Sequence, residues 1–181
     1  MIIESYKEKI RELSTDKQLL LGLCYVDRHR QIVREFDDFY GESISEQFIK
    51  TLDNIFSILL CKSSVSSDIQ KCLMELEKII PDSDDYPDIK CPLTQNAIIM
   101  LIYCYKFLLE SQTESIFSSL YILDDTIDVR NYEKNNNYDS NSQCKNELDI
   151  LDDYYKIINT NQVIDGKFIT LLREKNSKNM Y

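Results

Sequence analysis

Three aspartates in the second half of the chain have the spacing of a metal-binding motif. Asp124, Asp125 and Asp128 fit the pattern DDxxD, which on a helix stacks carboxylates on one face, where Mg²⁺ can bridge a diphosphate. Terpenoid synthases carry this pattern in a much larger helical barrel, with a second metal motif and basic residues that hold the leaving group. This sequence is too short for such a barrel and lacks those basic residues. The pattern therefore favours a solvated or partner-facing acidic helix end over a metal site.

The other candidate sites have simpler interpretations. Asp82, Asp84 and Asp85 alternate like the ligands of a calcium loop, but the loop lacks the glycine and the distal glutamate of an EF-hand. The single histidine, His29, lies in a charged stretch away from any candidate nucleophile, and we expect it at the surface. The six cysteines form no CxxC pair, and there is no GxSxG or glycine-rich phosphate loop. The sequence therefore predicts no catalytic residue, no metal and no cofactor.

Negative charge is concentrated in two segments. The formal net charge is −10, from 31 acidic and 21 basic residues. Nine acidic and three basic residues lie between 121 and 155, and four acidic residues lie between 82 and 88, next to Lys90. Charge held so locally steers a basic partner toward one surface and repels nucleic acid and anionic lipid. We therefore expect a basic protein partner, no direct contact with nucleic acid and no membrane.

Tyrosines flank both acidic segments, and tyrosine offers a large contact area with a polar tip at low entropic cost. The alternative for any one ring is half burial at a helix boundary. The side chains that we predict to bind the partner are acidic or aromatic: Asp82, Asp84, Asp85, Tyr86, Asp88, Asp124, Asp125, Asp128, Tyr132, Asp149, Asp152 and Asp153.

The elements that position these residues are predicted to be helices. The chain has only three glycines and three prolines, whereas a sheet protein needs many tight turns. Apolar residues recur at spacings of three and four over most of the sequence. We predict an all-α fold, a single-domain bundle of about seven to eight helices over residues 1–181, with a mobile loop at 131–143 and a flexible C-terminal end. Residues 163–172 fit either a helix or a hairpin.

Local signals predict several helix ends. The second helix is expected from about Asp16 to Tyr40, with Phe36 and Phe39 on its core face and Gly41 as a left-handed terminator. The charged middle of that helix, residues 27–30, is either its solvated side or a partner to another helix. Two capping boxes are also predicted, Thr15 with Gln18 and Ser43 with Glu46.

The sequence predicts no targeting or membrane segment. No run approaches the roughly eighteen apolar residues of a membrane span, and the first residues lack the basic head and long apolar stretch of a signal peptide. We therefore expect a cytoplasmic protein.

The stretch from Leu76 to Tyr86, followed by Pro92 and an apolar helix, resembles the YjaG-like family of bacterial helical proteins of unknown function. Asp27-Arg28, eight residues before Phe36, is similar to that family's Glu-Arg and later Phe. Thr126-Ile127-Asp128 is similar to its Thr-Val-Asp. The resemblance covers roughly residues 13–132. It implies an all-α bundle, and because the family has no assigned activity it implies no catalytic residue.

A small, acidic, cytoplasmic member of this kind also looks like an immunity protein, of the sort encoded beside secreted toxins in contact-dependent growth inhibition (CdiI-like) systems. Toxin nucleases carry basic, phosphate-binding clefts, so carboxylates placed there block the substrate and speed association. We therefore expect an immunity protein that binds and occludes the active site of a cognate basic toxin, a nuclease. The alternative is a housekeeping helical adaptor or regulator of unknown partner, without catalytic activity.

Overall fold

The structure, a computed structural model, describes residues 2–62, 66–134 and 140–180, and the side chains of residues 4–62, 66–131 and 145–180. Every regular element in these residues is helical, which confirms the predicted all-α class. A 3-10 turn at Ile2–Tyr6 precedes nine α-helices in the described part of the chain: α1 Lys7–Arg11, α2 Thr15–Arg28, α3 Arg30–Tyr40, α4 Ile44–Cys61, α5 Ser66–Lys78, α6 Lys90–Glu110, α7 Thr113–Lys134, α8 Ser140–Thr160 and α9 Gly166–Lys178.

Helix α2 runs through the middle of the bundle. All of its residues from 18 to 28 are buried, because α4, α6, α7, α8 and α9 pack around it. Gly22 permits the close approach of two of these neighbours: a Cβ there would lie 3.2 Å from both Cys104 Sγ and Ile116 Cδ1. The unbroken apolar run before Asp27 therefore reflects burial on every side of the helix.

Helices α6 and α7 form an antiparallel hairpin. The Asn96 amide donates to the Thr126 hydroxyl at 3.1 Å, and the Ser119 hydroxyl donates to the Met100 carbonyl at 3.1 Å. This register places the C-terminal half of α7 beside the N-terminal half of α6. Helix α6 has the length and composition of a membrane span, but 56% of its apolar window is buried inside the fold, as in a core helix.

The helix ends confirm one predicted signal and correct two. Gly41 ends α3 with φ 73°, as predicted. Both capping boxes are wrong: the N-caps Ser14 and Ser43 make no side-chain cap bond. At α4 the Asp37 carboxylate accepts from the amides of residues 44 and 45, at 3.0 and 2.8 Å. A charged acceptor on the preceding helix replaces the weaker serine hydroxyl.

Two segments with open predictions are described in part. Residues 166–178 form helix α9, whose N-cap Asp165 accepts from the Phe168 amide at 2.8 Å, so the helix is confirmed over the hairpin from residue 166 onward. Helix α7 extends to Lys134 and α8 begins at Ser140, so the backbone is helical, not a loop, at residues 131–134 and 140–143 of the predicted segment. The predicted mobility of residues 131–143 stays a prediction, and residues 135–139 lie outside the described residues.

The second predicted helix is divided at His29. This residue ends α2 and precedes α3, and its side chain is fully buried, so the expected surface position is wrong. Its Nδ1 donates to the Tyr25 carbonyl at 2.8 Å. Because a carbonyl only accepts, Nδ1 carries the proton of the neutral ring. Burial lowers the pKa of His29 to about 3.

The two residues before this break carry buried opposite charges. Arg28 is 2% exposed and Asp27 is fully buried. The Arg28 guanidinium donates to both carboxylate oxygens of Glu147 on α8, at 2.8 and 2.9 Å, and to the Asn179 carbonyl at 2.7 Å. The second alternative for residues 27–30, contact with other helices, is therefore confirmed.

Helix α9 supplies most of the contacts to Asp27. Its Asn176 amide donates to Asp27 Oδ2 at 2.8 Å, and Arg173 lies 3.3 Å from Oδ1, which Arg30 also approaches to 2.9 Å. Burial raises the pKa of Asp27, while Asn176 and the two guanidinium groups favour its charged form. Tyr154 of α8 donates to Asn176 Oδ1 at 2.6 Å. We call these polar side chains the junction network: Asp27, Arg28, Arg30, Glu147, Tyr154, Arg173 and Asn176.

The left-handed end of α3 gives a first prediction. Gly41→Ala should lower the free energy of unfolding by about 1 kcal/mol, because a Cβ is strained at positive φ even with open space around it. Gly166→Ala is the matched control, since that glycine has open space and no positive φ. It should be neutral or slightly stabilising. Urea denaturation of both variants tests this, and equal effects would contradict it.

The single histidine gives a second prediction. The unfolded chain binds a proton on His29 near pH 6.5, whereas the folded chain does so only near pH 3. The burial of neutral His29 therefore contributes fully to the free energy of unfolding above about pH 6.5. This contribution is lost as the pH falls from about 6.5 toward about 3. Between about pH 7 and about pH 5 the free energy of unfolding should fall by about 2 kcal/mol, and His29→Gln should remove that loss. An imidazole resonance titrating near pH 6.5 in the folded chain would contradict the assignment.

Candidate functional site

The acidic loop at residues 82–88 packs against the C-terminal end of α3. Tyr86 forms the contact: its ring lies edge-on to Phe36 at 5.0 Å and to Tyr40 at 4.8 Å between centroids. Its hydroxyl donates to Glu42 Oε1 at 2.6 Å. The hydrogen bond to the Glu42 carboxylate raises the pKa of Tyr86 to about 12. The loop is thereby attached to α3 and to the turn before α4.

Beside this contact lies an exposed aromatic ring. Phe39 is 59% exposed, and its ring is edge-on to Tyr40 at 4.8 Å. The Lys90 ammonium sits 4.2 Å from the centroid of the Phe39 ring and 3.1 Å from Asp88 Oδ1. We call this region the Phe39–Asp88 surface; its members are Asp38, Phe39, Tyr40, Glu42, Asp82, Asp84, Asp85, Tyr86, Asp88 and Lys90.

Most carboxylates of this surface face solvent. Asp38, Glu42, Asp82, Asp84 and Asp85 are all exposed. Asp82 Oδ1 accepts from the amide of residue 84 at 3.0 Å, which fixes the turn without neutralising the charge. The surface therefore combines a rigid aromatic group with a rim of negative charge.

Asp88 is the carboxylate of this surface that has a cationic partner at short range. It accepts from the Lys90 amide at 2.9 Å and from the Lys90 ammonium, and the amide hydrogen bond is the main cause of its lowered pKa. A group with these contacts stays ionised near neutral pH.

A shallow cleft borders the loop. Its volume is about 440 Å³. It is lined by residues of the loop and of the start of α6: Ser83, Tyr86, Pro87, Asp88, Ile89 and Pro92. The cleft shares Tyr86 and Asp88 with the Phe39–Asp88 surface.

The predicted aspartates of α7 lie toward the same end of the α6–α7 hairpin as the loop. Asp125 and Asp128 are exposed and Asp124 is half-buried, whereas Thr126 and Ile127 are buried. The antiparallel register places residues 124–128 beside the first turns of α6, which the acidic loop precedes. Tyr132 belongs to α7, but its side chain is outside the described residues.

The predicted aspartates of α8 are largely engaged within the chain. Asp152 accepts from the Tyr6 hydroxyl at 2.6 Å and pairs with Lys156, and both contacts lower its pKa. Asp153 pairs with Lys175 of α9, while Asp149 is exposed. Nearby cations offset two of these three charges, so α8 contributes less to a negative field than the sequence suggests.

The structure brings the DDxxD carboxylates into no metal cluster. Among the side chains that it describes, no three His, Cys, Asp or Glu residues converge as ligands for one cation. Asp124 and Asp128 share a helix face at a spacing of four, and Asp125 lies to one side of them.

Sequence reasoning missed Phe39, which it placed on the core face. Phe36 is fully buried, and its neighbour at a spacing of three was expected to follow it inward. The break at His29 makes α3 a separate helix. In its last turn two aspartates, Asp37 and Asp38, directly precede Phe39. These two aspartates are the feature of the sequence that indicates an exposed Phe39 side chain.

Comparison with known proteins identifies the family. The family model described as "Protein of unknown function (DUF416)" matches residues 5–180. The crystal structure of a DUF416 family protein from Shewanella baltica OS155 has the same fold, with a TM-score of 0.82, 14% sequence identity, and coverage of 95% of this chain and 93% of that chain. No curated protein matches the sequence. The expected membership of a family of helical proteins of unknown function is confirmed, and the chain belongs to the DUF416 family.

Proposed function

We propose that this chain is a non-catalytic binding protein whose Phe39–Asp88 surface engages a basic protein. The specific form that we propose is an immunity protein of a contact-dependent growth inhibition system, which occludes the active site of a cognate basic nuclease toxin. The YjaG-like resemblance and a cytoplasmic location belong to the same proposal.

The observation that carries the proposal is an exposed aromatic ring inside a rim of carboxylates. Phe39 is one of few large apolar side chains that are more than half exposed in the described residues. Its ring packs against Tyr40, which in turn packs against Tyr86. Aromatic anchors with a polar rim are the composition of protein interfaces. The charge of the rim selects a cationic partner.

The arrangement also suits occlusion of a phosphate-binding cleft. Asp82, Asp84 and Asp85 lie close together in one exposed loop. Phosphate sites in nucleases are lined by lysine and arginine, so such a loop offers matching charges while it excludes the nucleic acid. The aspartates of α7, toward the same end of the hairpin, extend the negative field.

The proposal predicts association that depends on salt and on the loop carboxylates. The probe is the product of the adjacent gene, where that product is a basic protein, and the measurement is the association rate. The rate should fall about tenfold between about 0.05 and about 0.5 M salt. At low salt, the combined substitution Asp82→Asn, Asp84→Asn and Asp85→Asn should slow association about tenfold.

A variant with the same change in net charge controls for long-range effects. Glu12 just after α1, Glu110 at the end of α6 and Glu174 on α9 are exposed and lie outside the loop, so their replacement by glutamine should change the rate about twofold at most. Equal effects of the two triple variants would contradict a local role for the loop.

The readout of toxin activity separates the two functional hypotheses. If the chain binds the basic neighbour and abolishes its nuclease activity, the immunity role is supported. If it binds without inhibition, the chain is the adaptor or regulator and the immunity role is wrong. An association rate that does not change with salt would contradict electrostatic steering under both the immunity and the adaptor hypotheses.

A further inference from the structure

The exposed Phe39 ring already holds a cation from its own chain. The Lys90 ammonium lies 4.2 Å from the ring centroid, well within the roughly 6 Å of a cation–π contact. The same ammonium is 3.1 Å from Asp88 Oδ1. A face of an aromatic ring and a carboxylate therefore converge on one cationic group.

We infer that Phe39 and Asp88 form a receptor for an arginine side chain of the basic partner, and that Lys90 occupies this receptor in the free chain. This inference rests on the proposed function and names the chemistry of its central contact. The arginine guanidinium stacks on the Phe39 ring and donates to the Asp88 carboxylate, and Lys90 withdraws into solvent.

The choice of arginine follows from the presence of Lys90. A lysine from the partner would make only the contacts that Lys90 already makes, so the exchange would bring little net gain. A guanidinium is planar, stacks flat on the ring and donates several hydrogen bonds in a fixed geometry. It is also more weakly hydrated than an ammonium, so it loses less on leaving water.

The receptor has room and is held in place. Phe39 remains 59% exposed with Lys90 over it, and Lys90 and Asp88 are themselves about one-third exposed. Tyr40 packs edge-on against the Phe39 ring, and Tyr86 packs edge-on against Tyr40. The cleft of about 440 Å³, in which Asp88 is a lining residue, accepts the partner's adjoining segment. A rigid, preformed receptor reduces the entropic cost of binding.

Two peptide probes test the inference on the full-length chain: hepta-arginine and hepta-lysine, each with its affinity measured by fluorescence anisotropy at low salt. Lys90→Ala should tighten arginine-peptide binding about fivefold relative to Lys167→Ala, because it frees the ring. Lys167 is exposed on α9, so the two variants have the same net charge. Phe39→Leu should weaken arginine-peptide binding about fivefold and leave lysine-peptide binding within about twofold.

The outcomes separate the receptor from the broader proposal. If Lys90→Ala binds no better than Lys167→Ala, or if Phe39→Leu weakens both peptides equally, the arginine receptor is wrong while an acidic binding surface stands. If neither peptide binds the unmodified chain at low salt, the surface does not recognise cationic segments and the proposed function fails as well. Circular dichroism confirms that each variant is folded, and Lys90→Ala keeps the backbone amide that Asp88 accepts from.

Discussion

Two buried charges at the end of α2 constrain the whole fold. Asp27 and Arg28 are adjacent in sequence and almost entirely removed from water, so each needs a partner of opposite charge or several hydrogen bonds. Those partners come from Glu147 on α8 and from Arg173 and Asn176 on α9, more than a hundred residues away. Removing one partner of such a buried pair costs about 3–5 kcal/mol. The C-terminal helices must therefore return to this point.

The junction network also positions the candidate site. The break at His29 separates α3 from the central helix, and Arg30, the first residue of α3, contacts Asp27. Helix α3 then carries Phe36 into the core and presents Phe39 at its outer side. Tyr86 packs on this end of α3 and fixes the acidic loop there. A rigid scaffold beneath a charged loop is the arrangement expected of a preformed binding surface.

The sequence predicts a helix end where residues next to it in the chain determine that end. Gly41 marks the end of α3 as predicted, and the expected start of the second helix at Asp16 lies one residue from the observed start of α2 at Thr15. The wrong predictions concern features that depend on residues in other helices. Whether Asp27 is solvated or buried depends on Asn176 and Arg173, and whether Ser43 caps α4 depends on Asp37 in a different helix. Likewise, the acidic content of α8 was visible, but its pairing with Lys156 and Lys175 arises from the folded arrangement.

A buried network sets the helix arrangement, and we propose that the exposed aromatic and acidic surface binds a basic partner. A photo-crosslinking phenylalanine analogue at position 39, activated in cells that produce the chain at native level, tests this most directly. We expect one dominant adduct with a basic protein at position 39, and none from the same analogue at Leu171, which is 53% exposed on α9. Identical adducts from both positions, or an acidic protein attached at position 39, would contradict it.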